Sequence, residues 1–175
     1  MGGTVLHCPC RHGYELSGGP LGVLTTGPMS THQAQLVSDR GDVTLFGNGI
    51  IEPDGEGMLA LERRNIQFES ATVGALREDG SGALTIHLDD GRKEGVRAMF
   101  TAPRNMMAST LAEQLGCGFT DGMLGPAITV DDRHQATVPG VYAAGDAARA
   151  MHNIAFAVAA GAFAGVCAHQ SLVFS

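Results

Sequence analysis

Six consecutive residues, His7-Cys8-Pro9-Cys10-Arg11-His12, hold two thiols and two imidazoles. A thiol becomes a nucleophile and electron donor as the thiolate, and a neighbouring cation favours that form. A histidine titrates near neutrality and suits proton transfer beside sulfur. Cys8, Cys10 and His12 are therefore candidate catalytic residues, with Arg11 able to depress a neighbouring thiol's pKa. A Cys-x-Cys pair closes to a disulfide only as a strained small ring, so a single reactive thiol is an alternative to a redox pair. The four donors His7, Cys8, Cys10 and His12 also suit zinc by type. Their spacing is tighter than a usual structural zinc site and no second ligand cluster follows, so no metal is assigned. A helix start without chemistry is the third reading.

A second constellation lies near the end of the chain, in Thr137-Val-Pro-Gly-Val-Tyr-Ala-Ala-Gly-Asp146. Val141 to Ala144 predicts a short buried strand, and Gly145 permits a sharp turn after it. Asp146 then falls at the carboxyl edge of that strand, ahead of an apolar helix expected to run to about Leu172. In open α/β sheets this edge is where ligands bind. A carboxylate there accepts hydrogen bonds from sugar-like hydroxyls, and the next helix offers its positive end to an electron-rich group. The plainer reading is strand, turn and helix with no ligand.

These residues must be positioned by a chain of 175 residues, enough for one domain or two small ones. Hydrophobic residues make up 44% and charged residues 17%, which implies a packed core. A net charge of −7 without a basic run argues against nucleic-acid binding. Cys8, Cys10, Cys117 and Cys167 do not make a secreted disulfide framework and no leader pattern precedes them, so a cytoplasmic setting is expected. Cys117 reads as buried filler. The most apolar run, Ile154 to Ala168, is shorter than a membrane span, so a buried helix packed closely on a sheet is expected, and no membrane partner.

In chain order, Pro20 to Thr26 predicts a buried strand, Thr31 to Ser38 a helix and Asp42 to Phe46 a strand, a βαβ unit in outline. Gly55 to Asn65 predicts a helix and Ile66 to Glu69 a strand. Val73 to Arg77 and Ala83 to Leu88 predict an antiparallel pair, and Val96 to Phe100 a return strand. Ser109 to Gly116 predicts a capped helix, and Ile128 to Val130 a strand. After the first strand a pyridine-nucleotide site wants G-x-G-x-x-G or G-x-G-x-x-A. Thr25, Gly27 and Ser30 hold those three positions, and Pro28 removes an amide. No Arg or Lys lies between Val43 and Asp54 to grip a phosphate. Tight NADPH binding is not expected.

The T-x-V-P-G-V-Y-A-A-G-D run with its small-residue helix resembles the second flavin-binding motif of the thioredoxin-reductase-like flavoproteins. The resemblance implies FAD, with Gly145 and Asp146 at the ribityl chain and backbone amides around Asn153, Ile154 and Ala155 facing the flavin. His152 falls where that helix approaches the flavin. The segment from His7 to Glu15 resembles the redox segment H-C-P-x-C-H-G-Y-E of the branch containing the gliotoxin- and holomycin-type dithiol oxidases. Cys8 and His12 match it. Arg11 stands at the second cysteine position, and Cys10 comes one place early. That branch also lacks the basic 2′-phosphate cluster, since oxygen reoxidises its flavin.

The family builds its FAD domain from two chain segments around an inserted nucleotide-type domain, and the first segment carries G-x-G-x-x-G. No such motif occurs in this sequence. The resemblance therefore implies an incomplete flavin half, from a fragment or a shortened gene, with α-helical apolar surface left exposed and a tendency to form a homodimer. The expected fold is α/β: a three-layer Rossmann-like domain with the redox segment at 1–102, and the C-terminal part of a split FAD-binding domain at 103–175. The implied activity is FAD-dependent thiol–disulfide exchange, on a small dithiol or disulfide or a thioredoxin-like protein. An inactive binding or dimerisation module of this family and a small metal-binding protein are the alternatives.

Overall fold

A computed structural model describes all residues except 1, 2, 13, 17, 79, 81, 123 and 175, together with the side chains of Cys10 and Arg11. The chain divides into two compact units, Met1–Pro103 and Arg104–Ser175.

The first unit contains β1 (Val5–Leu6), α1 (Pro9–His12), β2 (Pro20–Leu24), α2 (Met29–Val37), β3 (Asp42–Phe46), α3 (Gly55–Glu62) and β4 (Gln67–Glu69). The strands β5 (Val73–Glu78), β6 (Leu84–Leu88), β7 (Lys93–Val96) and β8 (Ala98–Thr101) follow. Five strands form a parallel sheet in the order β1-β8-β2-β3-β4. Successive side chains of a strand point to opposite faces. Leu21, Val23, Val43, Leu45 and Phe100 therefore pack on one side with Ala34 and Val37 of α2 and Leu61 of α3. Phe46 and Met99 pack on the other side with Leu84, Ile86, Leu88 and Val96, from the antiparallel sheet β5-β6-β7. The result is three layers: helices, parallel sheet, antiparallel sheet. Each of these buried Leu, Ile, Val, Phe and Met side chains contributes about 1.5–3 kcal/mol relative to exposure.

The expected return strand Val96 to Phe100 is two strands in two sheets. Val96 closes the antiparallel sheet, Ala98 opens β8 in the parallel one, and the Arg97 amide between them donates to the Pro20 carbonyl at 2.8 Å. Ile66 is buried but precedes β4 rather than joining it.

The second unit contains α4 (Leu111–Gln114), β9 (Phe119–Gly122), β10 (Gly125–Ile128), a 3-10 turn at Gly145–Ala147, and α5 (Ile154–Val173). The helix expected from Ser109 to Gly116 is a single turn; Gly116 ends it in the left-handed region, φ 77°. The strand expected at Ile128 to Val130 is placed earlier, as β10 in a hairpin with β9. The strand expected at Val141 to Ala144 is not formed. One bridge, Gln135 to Tyr142, stands in its place, bracketed by Gly140 at φ 80° and Gly145 at φ 69°. A strand needs a partner along its length, and here pairing stops after one residue.

α5 is longer than its most apolar run suggests: its 20 residues are long and apolar enough to cross a membrane. Only Ala160, Ala164 and Cys167 are buried, a narrow stripe at helical spacing. Ile154 is 82% exposed and Val158 67%.

Candidate active site

The thiol segment follows β1 directly. Leu6 is buried, and the chain then turns into α1, with the His12 amide donating to the Cys8 carbonyl at 3.3 Å. Cys8 is a half-buried free thiol. His12 Nδ1 lies 3.9 Å from Glu15 Oε2, with both side chains partly open to solvent. At four residues α1 carries little macrodipole. The Cys10 thiol and the Arg11 guanidinium, expected beside Cys8, lie outside the described residues. Among the described residues no three His, Cys, Asp or Glu side chains gather as metal ligands. α1 rests on α2, where Gln33 Nε2 donates to the His7 carbonyl at 2.9 Å.

The loop between β2 and α2 closes on itself. Ser30 Oγ accepts from the Thr26 amide at 3.0 Å, and the Ser30 amide donates to the Gly27 carbonyl at 3.0 Å. The Thr25 amide donates to the Phe46 carbonyl at 2.9 Å, and Thr26 Oγ1 to the Ala102 carbonyl at 2.7 Å. Ser30 is buried and Pro28 has no amide proton. The Thr25, Thr26 and Ser30 amides are thus committed within the protein, and Pro28 has none to offer a phosphate.

In the second unit, Gly145 at φ 69° starts the 3-10 turn that presents Asp146. A Cβ on Gly145 would touch the Ala157 methyl at 3.4 Å, so α5 packs closely against this turn. The Asp146 side chain is 60% exposed, with Oδ2 3.9 Å from His152 Nδ1. His152 Nε2 lies 3.4 Å from Asn105 Nδ2. Asn153 caps α5, its Oδ1 accepting from the Ala155 amide at 2.8 Å. Of the expected flavin-facing amides, that of Ala155 is therefore committed to the cap. Ile154 opens the helix with its side chain in solvent. Arg149 lies over the Phe156 ring, 4.6 Å from its centroid. A polar cleft of about 350 Å³ is lined by Asp131, Asp132, His134, Gly145, Ala148 and Arg149.

Two side chains gave no functional signal in the sequence. His134 takes φ 62°, packs edge-on to Phe163 at 5.9 Å, and buries an Nδ1 with no hydrogen-bond partner among the described residues. Gln33 lies on the buried stripe Ser30-Gln33-Ala34-Val37 of α2. Two of those four residues, Ser30 and Gln33, are polar, so the face does not stand out as an apolar stripe in the sequence.

A parallel βαβ sheet carrying an antiparallel sheet on one face and helices on the other defines the first unit as a nucleotide-binding type of α/β protein. The family model described as pyridine nucleotide-disulphide oxidoreductase matches residues 56–162, and the chain belongs to this family. It is similar to thioredoxin reductase sirT of Leptosphaeria maculans, 28% identical over 94% of this chain and 54% of the relative. It is likewise similar to thioredoxin reductase tcpT of Claviceps purpurea, 32% identical over 98% of this chain and 56% of the relative. The chain thus spans about half the length of these relatives. Among solved structures, an oxidoreductase from Agrobacterium tumefaciens superposes with a TM-score of 0.90 at 37% identity, over 98% of this chain and 57% of that one. HlmI superposes with a TM-score of 0.83 at 32% identity, over 97% and 52%.

Proposed function

We propose that this chain carries the thiol segment and part of the flavin site of an FAD-dependent thiol–disulfide oxidoreductase acting in the cytoplasm. The observation that carries the reading is Asp146: an open carboxylate on a turn that only a glycine makes, closely packed by the following helix. Gly145 and Asp146 would hold the ribityl chain, and the start of α5 at Asn153 and Ile154 would border the flavin. When bound, FAD supplies a two-electron acceptor for a dithiol. The Cys8 sulfur would join one substrate sulfur as a mixed disulfide, the electron pair passing to the flavin, and the second substrate thiol would displace Cys8 as the thiolate; His12 would accept and return the proton at that sulfur. The committed Thr25, Thr26 and Ser30 amides speak for a reaction that does not draw on NADPH; oxygen as final acceptor is inferred from the resemblance to the dithiol-oxidase branch. The substrate class is a small dithiol or disulfide, and a thioredoxin-like protein is the second candidate.

Oxygen consumption with a small dithiol, measured on the flavin-loaded protein, tests this. Cys8→Ser is expected to reduce turnover to background, and His12→Gln to lower it by about 10²–10⁴-fold. Unchanged turnover in Cys8→Ser would remove the thiol segment from the chemistry.

A further inference from the structure

The buried face of α2 contains one residue whose chemistry the packing does not need. Gln33 is 6% exposed and sits between Ser30 and Val37 on the stripe that faces the core. Its Nε2 donates to the His7 carbonyl at 2.9 Å, across 26 residues of sequence. Its Oε1 is buried with no hydrogen-bond partner among the described residues. An orphaned buried acceptor is destabilising, and a Leu or Met would fill the same space without one. The side chain's favourable polar contact is thus the bond to His7.

That bond falls on one peptide plane. The His7 carbonyl and the Cys8 amide belong to the same rigid unit. The next carbonyl, that of Cys8, is held separately by the His12 amide. With both planes fixed, rotation about the Cys8 backbone is fixed, and with it the direction of the Cα–Cβ bond that carries the thiol. We propose that Gln33 is a positioning residue for Cys8: it clamps the His7–Cys8 peptide so that the Cα–Cβ bond points one way and the thiol stays half-buried. The functional meaning of this clamp rests on the thiol chemistry proposed above; the clamp itself does not.

The test is site-resolved alkylation of Cys8 in the full chain, followed by peptide mass spectrometry, with no flavin and no substrate present. Gln33→Met keeps the volume and loses the donor. Gln33→Glu loses the donor as a carboxylate but regains it when protonated, which burial favours. Relative to the parent chain, Gln33→Met is expected to label Cys8 about three- to tenfold faster at every pH, the range set by one hydrogen bond. Gln33→Glu is expected to match Gln33→Met near pH 8 and to approach the parent rate near pH 5. A buried carboxylate also loosens the unit as it ionises, so thermal melts of both variants are read at the same pH values: convergence in labelling without a matching convergence in melting temperature identifies the clamp. Parent-like labelling in Gln33→Met, or a Gln33→Glu ratio that does not change with pH, would overturn the clamp. Because turnover is not read, failure here is distinct from failure of Cys8→Ser to abolish dithiol oxidation.

Discussion

Asp146 and His152 face each other across the entrance to α5, with Oδ2 and Nδ1 3.9 Å apart. Both side chains are substantially open to solvent, so screening leaves little net energy in the pair. The pair therefore adds little to the stability of the fold. His152→Ala is expected to weaken flavin binding by no more than about threefold, a value typical of exposed pairs. Fluorescence titration of the flavin measures it; a loss comparable to removal of Asp146 itself would make His152 a direct contact.

Glu69 and Arg92 form a different kind of pair. Arg92 Nη1 and Nη2 donate to the two Glu69 oxygens at 2.6 and 2.9 Å, and Arg92 also binds Asp90. The Arg92 hydrogen bonds, with the Ala71 amide second, hold the Glu69 carboxyl below its ordinary value of 4.5. The Arg92 amide and guanidinium likewise lower Asp90. A carboxyl lowered by folding adds stability above its unfolded pKa and loses it as pH falls through the folded one. Glu69→Gln is expected to melt a few degrees lower at neutral pH, with the gap to the parent closing as pH drops below 4.5. Thermal melts across that range check it, and a gap independent of pH would contradict it.

The outer face of α5 leaves Ile154, Val158, Val166 and Leu172 exposed, far more contiguous apolar surface than single scattered residues give. The chain is expected to self-associate. Replacing Val158 and Leu172 by Ser should shift it toward the monomer in size-exclusion chromatography with light scattering, while the buried Ala160, Ala164 and Cys167 stripe stays intact. A parent chain that remains monomeric at high concentration would contradict this.

The first unit was largely legible because its strands announce themselves. Leu21–Leu24 and Val43–Phe46 are continuous apolar or β-branched runs largely buried on both faces, as parallel sheets require. The division of Val96 to Phe100 between two sheets was not legible, since it depends on which neighbours Val96 and Ala98 meet on either side of Arg97. Gly145 was legible as a turn, and its φ of 69° requires the residue type that is there. The preceding run from Val141 to Ala144 has strand propensity but lacks a partner beyond the Tyr142 bridge, so local preference alone misleads. The Asn153 cap was hidden for a related reason: its commitment of the Ala155 amide depends on backbone geometry at one residue.

The proposed function depends most on Asp146 gripping a flavin, and the flavin content of the protein isolated from its own cells tests that directly. Visible absorbance should show bound flavin in the parent protein. Asp146→Ala should lower affinity about 10- to 100-fold, as loss of a charge-assisted hydrogen bond implies. A protein without flavin, or one that retains it equally well after Asp146→Ala, would contradict the proposed function.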